Sequence, residues 1–232
     1  MHEVGGFLAT PPAPEKAGGF VVDFVWRFDM KKMLVSVLMA LSAASATATD
    51  VYYNPLPSNG NQNFTGMLGN DFLVNSDVTV TAIGAFNGYA AGFFGTITVG
   101  LYDITDLLNI QTVISPYSFS GATGTTPYSW QSASATLLTG HTYSVQASGY
   151  GADPNSNTFT GGSLSFDNLG GALTQLNGRY GTSPTLGVAG DATGAYAFGA
   201  GNVQAVPEPE TVAMLLAGLG LIAVTMQRRR QA

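Results

Sequence analysis

Between Asp50 and Ala205 no stretch carries a sustained apolar repeat of 3.6 residues. A chain that cannot lay an apolar stripe along a helix has to bury its hydrophobic side chains on sheets. The two-residue period is present instead. Residues 78–86 alternate, with Val78, Val80, Ala82 and Phe86 on one face, and residues 96–102 put Ile97, Val99 and Leu101 together. Such alternation marks a half-buried strand. Shorter segments of the same kind lie at 72–74, 110–114, 128–130, 134–138, 142–147, 163–166 and 196–198, with a turn at Thr139-Gly140-His141. Clusters of Gly, Asn, Asp and Pro separate them at short intervals. Residues 50–65 are polar and turn-rich and read as an irregular lead-in. Many short strands with frequent turns predict an all-β domain over residues 49–205, an antiparallel β-sandwich of jelly-roll-like kind.

Charge narrows what that domain can bind. Charged residues are 9 % of the chain, against about 25 % in ordinary domains. Between Asp50 and Val206 stand eight acidic residues and one base, Arg179, a balance of about −7. Such a surface repels phosphate backbones, so no nucleic-acid partner is expected. The chain has no cysteine, which excludes a disulfide framework and any thiolate metal site. A domain of about 155 residues is large enough to be stabilised by its core alone.

The two ends have a different character. Pro11, Pro12 and Pro14 preclude a continuous helix near the start. Met30-Lys31-Lys32 is followed by the apolar run 33–41 and by Ala44-Ser45-Ala46-Thr47-Ala48. A short basic segment, a brief apolar run and small residues at the cleavage spacing predict a signal peptide over 30–48, removed by signal peptidase. Cleavage is expected after Ala48, with Ala46 the second choice. Translation is then expected to begin at Met30, leaving 1–29 as a disordered extension of the gene model.

At the other end, Val206-Pro207-Glu208-Pro209-Glu210 precedes sixteen uncharged residues, 211–226, and then Arg228-Arg229-Arg230. As a helix the uncharged run reaches ~24 Å at about 1.5 Å per residue, a little short of the ~30 Å hydrocarbon core. The arginines can snorkel to the headgroups and extend it, and they hold the tail on the cytoplasmic side. Residues 211–227 are therefore expected to form one C-terminal transmembrane helix with a basic tail at 228–230. On the residues alone this is a single-pass anchor behind a proline-stiffened juncture.

Pro207-Glu208-Pro209, a short apolar helix and a terminal basic cluster together resemble the PEP-CTERM sorting signal of Gram-negative bacteria, which would span 206–232. That resemblance implies recognition of Pro207, Glu208 and Pro209 by an exosortase, a membrane-embedded enzyme resembling thiol transpeptidases. The chain would pause in the inner membrane before release to the outer surface or extracellular matrix. The order Leu68-Gly69-Asn70-Asp71-Phe72-Leu73-Val74, Val78-Thr79-Val80-Thr81-Ala82-Ile83-Gly84, Val99-Gly100-Leu101-Tyr102-Asp103 and Leu137-Leu138-Thr139-Gly140-His141-Thr142-Tyr143 is similar to a β-sandwich ectodomain common among such proteins. It implies a fold and no particular activity.

Within the domain few residues point to chemistry. His141 is its only histidine and sits in a turn, and no Gly-x-Ser-x-Gly elbow is present. Asp103 and Asp106 are close in sequence but lie in a turn. Asp153, Asn155 and Asn157 place oxygen side chains at alternate positions, as calcium loops do, but Thr158 and Leu164 stand where the calcium loop requires Gly and Glu. Calcium is thus the one cofactor with any support, and an Asx-rich turn is the plainer reading. Tyr89, Phe93 and Phe94 lie among glycines in a loop and could stack on sugar rings. The expected function is a non-enzymatic structural or adhesive surface protein associated with exopolysaccharide. The alternatives are a carbohydrate-binding module, an ice-binding protein using the pairs Thr79/Thr81 and Thr96/Thr98, and a secreted hydrolase.

Overall fold

A computed structural model describes residues 47–89, 92–121, 127–194 and 196–208, together with Gly218 and Gly220. Fourteen strands follow in chain order: β1 (Thr49–Asp50), β2 (Tyr52–Leu56), β3 (Gln62–Phe64), β4 (Met67–Val74), β5 (Val78–Phe86), β6 (Phe93–Asp103), β7 (Gln111–Gly121), β8 (Tyr128–Leu137), β9 (Thr142–Ser148), β10 (Tyr150–Asn155), β11 (Ser163–Phe166), β12 (Leu173–Gly181), β13 (Asp191–Ala192) and β14 (Gly201–Pro207). A 3-10 turn at Leu169–Gly171 lies between β11 and β12.

The strands form two main antiparallel sheets, ordered β1-β14-β5-β8 and β13-β12-β4-β9-β6-β7. From β4 to β9 the chain changes sheet at every step except the β6–β7 pair. Strand β14 returns to lie between β1 and β5, and β9 lies between β4 and β6. This is the winding of a jelly roll, two Greek keys closed into a sandwich, so the expected fold class is observed. Strands β12 and β13 widen the six-stranded sheet beyond that pattern.

Side chains from both sheets meet in one core. Val78, Val80, Ile83 and Ala85 from β5 pack with Ile97, Val99 and Leu101 from β6 and with Val145 and Ala147 from β9. The sheets approach closely at Gly201. A methyl group there would lie 2.9 Å from Val99 Cγ1 and 3.1 Å from Val145 Cγ2 on the facing sheet.

In β5 the expected single apolar face is not observed. The ladders to both neighbours slip between Val80 and Ala82. A bulge of this kind reverses which side chains point inward, so Ile83 and Ala85 take the core positions and Ala82 is left out of the cluster. Residues 50–65 are not an irregular lead-in either. They supply β1, β2 and β3, which pair with β14, β11 and β10. Asn54 at φ 50° and Pro55 break the regular alternation in β2 and hide it from a periodicity reading. The segments expected at 128–130 and 134–138 merge into one long strand, β8, which ends at Leu137. Residues 196–198 contribute only a bridge, Phe198 to Asn157.

The face of the six-stranded sheet turned away from the core is polar and yet buried. Asp71, Ser144, Gln146 and Arg179 lie there, on strands whose alternate residues Phe72, Val145 and Ala147 enter the core. Segment 182–190 covers them. Gln146 donates to the Val188 carbonyl (3.0 Å) and accepts from the Gly187 amide (2.8 Å), and Arg179 donates to the Ala189 carbonyl.

Candidate functional site

The sorting residues grow directly out of the last strand. In β14, Val203 and Ala205 are buried in the core. Asn202, also buried, uses its amide to accept from the Tyr52 backbone N–H (3.0 Å) and to donate to the Tyr52 carbonyl. One side chain thus stands in for a missing ladder pair and locks β2 to β14. The ladder to β5 then runs on through Val206 opposite Thr79 to Pro207 opposite Val78. A proline at the end of a strand is tolerated because no further ladder donor is needed from it.

Beyond the ladder the chain is still held. The Glu208 amide donates to the Asp77 carbonyl (3.1 Å). The Thr79 hydroxyl donates to the Glu208 carboxylate. Asp77 itself is fixed, because its Oδ1 accepts from the Thr139 amide (2.7 Å) and hydroxyl (2.6 Å). Those two bonds hold the Asp77 carboxyl below the ordinary carboxylate range. The β4–β5 turn, the β8–β9 turn and the start of the sorting segment are therefore joined at one end of the sandwich. The opposite terminus reaches β14 as well: Thr49, directly after the exposed Ala48, pairs with Ala205.

Pro209, Arg228, Arg229, Arg230 and Ala46 lie outside the described residues. So does the expected transmembrane helix at 211–227, apart from Gly218 and Gly220, which are helical.

Asp153, Asn155 and Asn157 send their side chains to separate tasks. The buried Asp153 carboxylate accepts the Phe94 and Gly95 amides, each at 2.8 Å. Asn155 donates to the Gln62 carbonyl (2.9 Å), and Asn157 accepts from the Thr160 amide (2.8 Å) and donates to Gln62 Oε1 (2.9 Å). Among the described residues no group of three His, Asp or Glu side chains is placed to hold a metal.

The loop aromatics divide. Phe93 packs against Phe119 in the core. Phe94 and Tyr89 stay exposed, at 71 % and 38 %, and meet edge to face with ring centroids 5.4 Å apart. Phe159 and Tyr196 form a second exposed pair at 5.0 Å, which no periodicity could reveal because both lie outside the strands. Nor does spacing point to Thr79 and Asp77, since Thr79 is 129 positions from Glu208.

His141 Nδ1 lies 2.6 Å from Asp103 Oδ2 and the ring stacks on Tyr143. Burial pushes the Asp103 carboxyl up, but bonds from the Thr105 hydroxyl and amide and from His141 outweigh it and leave it lowered. Asp106 caps its own turn through the Leu108 amide (3.0 Å). The pairs Thr79/Thr81 and Thr96/Thr98 stand on different sheets.

Residues 205–230 match the PEP-CTERM protein-sorting motif. No curated protein matches the chain. The motif implies processing by an exosortase, and with it export through the membrane to the cell surface. The final strand of the all-β domain ends at Pro207, inside the matched residues, and the chain thus carries the PEP-CTERM sorting motif at its C-terminal end.

Proposed function

We propose that the exported domain is a non-enzymatic structural or adhesive module that associates with exopolysaccharide at the cell surface. The observation that carries this reading is the exposed Tyr89–Phe94 pair. Apolar rings left in water at the start of β6 and in the segment before it are suited to stack on the faces of sugar rings. The platform is also stiff. Asp153 grips the amides of Phe94 and Gly95 from below, so Phe94 loses little freedom on binding. The non-enzymatic part rests on how the carboxylates are engaged: Asp71 by Arg179, Asp153 by backbone amides, Asp103 by Thr105 and His141.

Binding of the purified exported domain to a panel of polysaccharides tests the reading. Wild type is expected to be retained and Tyr89→Ala/Phe94→Ala to be lost, with unchanged thermal unfolding. Retention of the double variant at wild-type level sinks the aromatic platform, and no retention of wild type sinks the polysaccharide association. A narrower reading, a dedicated carbohydrate-binding module, uses the same pair and expects one preferred glycan. Adding calcium or a chelator in the same assay shows whether that binding depends on the ion.

A further inference from the structure

We propose that Thr79 and Asp77 sequester the sorting motif on the folded domain, so that exosortase gains Glu208 only after it has left Thr79. The proposal rests on the sorting reading above and adds a gate to it.

The two prolines set up the contact. Pro207 fixes its own φ at about −65°, and Pro209 disfavours a helical backbone at Glu208. Glu208 is thereby kept extended and continues the direction of β14. In an extended chain Val206 and Glu208 point to the same side. Val206 is paired with Thr79, and that register brings the Glu208 carboxylate onto the Thr79 hydroxyl. The same register puts the Glu208 amide on the Asp77 carbonyl. Glu208, the middle residue of the recognition signal, is thus docked on its own domain.

The geometry leaves little slack. Pro207 is still a ladder residue, and the uncharged run begins at Thr211. Three residues intervene, which reach about 10 Å when fully extended. An enzyme embedded in the membrane cannot engage a carboxylate that Thr79 already holds against β5 without peeling the end of β14 away. Loss of the Thr79 bond should therefore raise the fraction of time that the motif is free.

The test is a pulse-chase of the full chain in a host that encodes an exosortase, following conversion of the membrane-bound precursor to the processed form. Thr79→Val keeps the β-branched shape and removes the hydroxyl. Its processing is expected to be about three- to tenfold faster, the factor that one ordinary, half-buried hydrogen bond supplies. Thr79→Ser keeps the hydroxyl and should process at the wild-type rate. Thr81→Val is the matched control, because Thr81 bonds the Gln204 carbonyl of β14 and does not touch Glu208; it too should keep the wild-type rate. Hydrogen exchange at the Glu208 amide reads the gate directly, faster in Thr79→Val and unchanged in Thr81→Val. Wild-type processing in Thr79→Val, or equal acceleration by Thr81→Val, overturns the gate and leaves sorting intact. A wild-type chain processed identically with and without the exosortase overturns the sorting reading and the gate with it.

Discussion

The guanidinium of Arg179 donates to both carboxylate oxygens of Asp71, with Nε 3.0 Å and Nη2 2.6 Å from Oδ2, and their side chains are only 7 % and 1 % exposed. Arg179 is the single base between Asp50 and Val206, and it is turned inward. It joins β12 to β4 and, through the Ala189 carbonyl, fastens segment 182–190 over the sheet. The one positive charge of the domain thus serves structure, and the acidic surface is left without a cation to offset it.

Removing one partner of this pair strands the other charge in a buried site. Arg179→Met is expected to lower stability by about 3–5 kcal/mol. Asp71→Leu combined with Arg179→Met should recover much of that, because no unpaired charge remains. Urea denaturation midpoints of the single and double variants measure both effects, and a double variant less stable than Arg179→Met would refute the account.

Acid should weaken the end of the sandwich that holds the sorting motif. The folded-state carboxyls of Asp77 and Asp103 lie below their ordinary value of about 3.9. A depressed folded pKa gives stability that is fully present above the unfolded pKa and is lost as pH falls through the folded one. Stability should therefore decline below about pH 4. Asp77→Asn should decline less steeply over the same range, as denaturation at a series of pH values would show.

Alkali acts on the core in the opposite sense. Burial raises the phenols of Tyr52, Tyr128 and Tyr150, with nearby Asp71 adding to the shift at Tyr52 and Asp50 at Tyr128. Their contribution is complete below the unfolded value of about 10 and is lost as pH rises through the folded values. Tyrosinate absorbance is expected in two stages. The three buried phenols ionise only in the second stage, together with unfolding. A single smooth titration with the fold intact would contradict the burial of these rings.

Gly149 joins β9 to β10 at φ 103°, and a methyl group there would lie 2.2 Å from the Thr96 carbonyl oxygen. Gly149→Ala is expected to cost at least about 1–3 kcal/mol from the backbone conformation alone, before the clash is relieved. Gly121→Ala has a similar φ of 71° with nothing within 4 Å, so it isolates the conformational part. Thermal unfolding should rank wild type above Gly121→Ala and that above Gly149→Ala.

Periodicity located the strands whose alternation is regular. Ile97, Val99 and Leu101 fall on one buried face as their spacing requires, and the bounds of β5 and β11 coincide with the expected segments. It failed wherever the pairing partner supplies the order. Strand β12 slips register between Gln175 and Gly178, and β14 opens on a glycine and closes on a proline, so neither shows an alternating face. The loop aromatics illustrate the same limit, since Phe93 and Phe94 are adjacent and only the path of β6 sends one to the core and the other to water.

By itself the sequence determined the fold class and the sorting motif. A missing helical period, turn residues at short intervals, and the Pro-Glu-Pro, apolar and arginine segments are local properties, and local chemistry suffices to read them. Tertiary structure alone decided that Asp71 meets Arg179, that Asn202 completes β2, and that Glu208 rests on Thr79. Each of those contacts joins residues 108 to 150 positions apart. Their geometry is set by register and sheet order, which depend on how the whole core packs and leave no trace in the spacing of neighbouring residues.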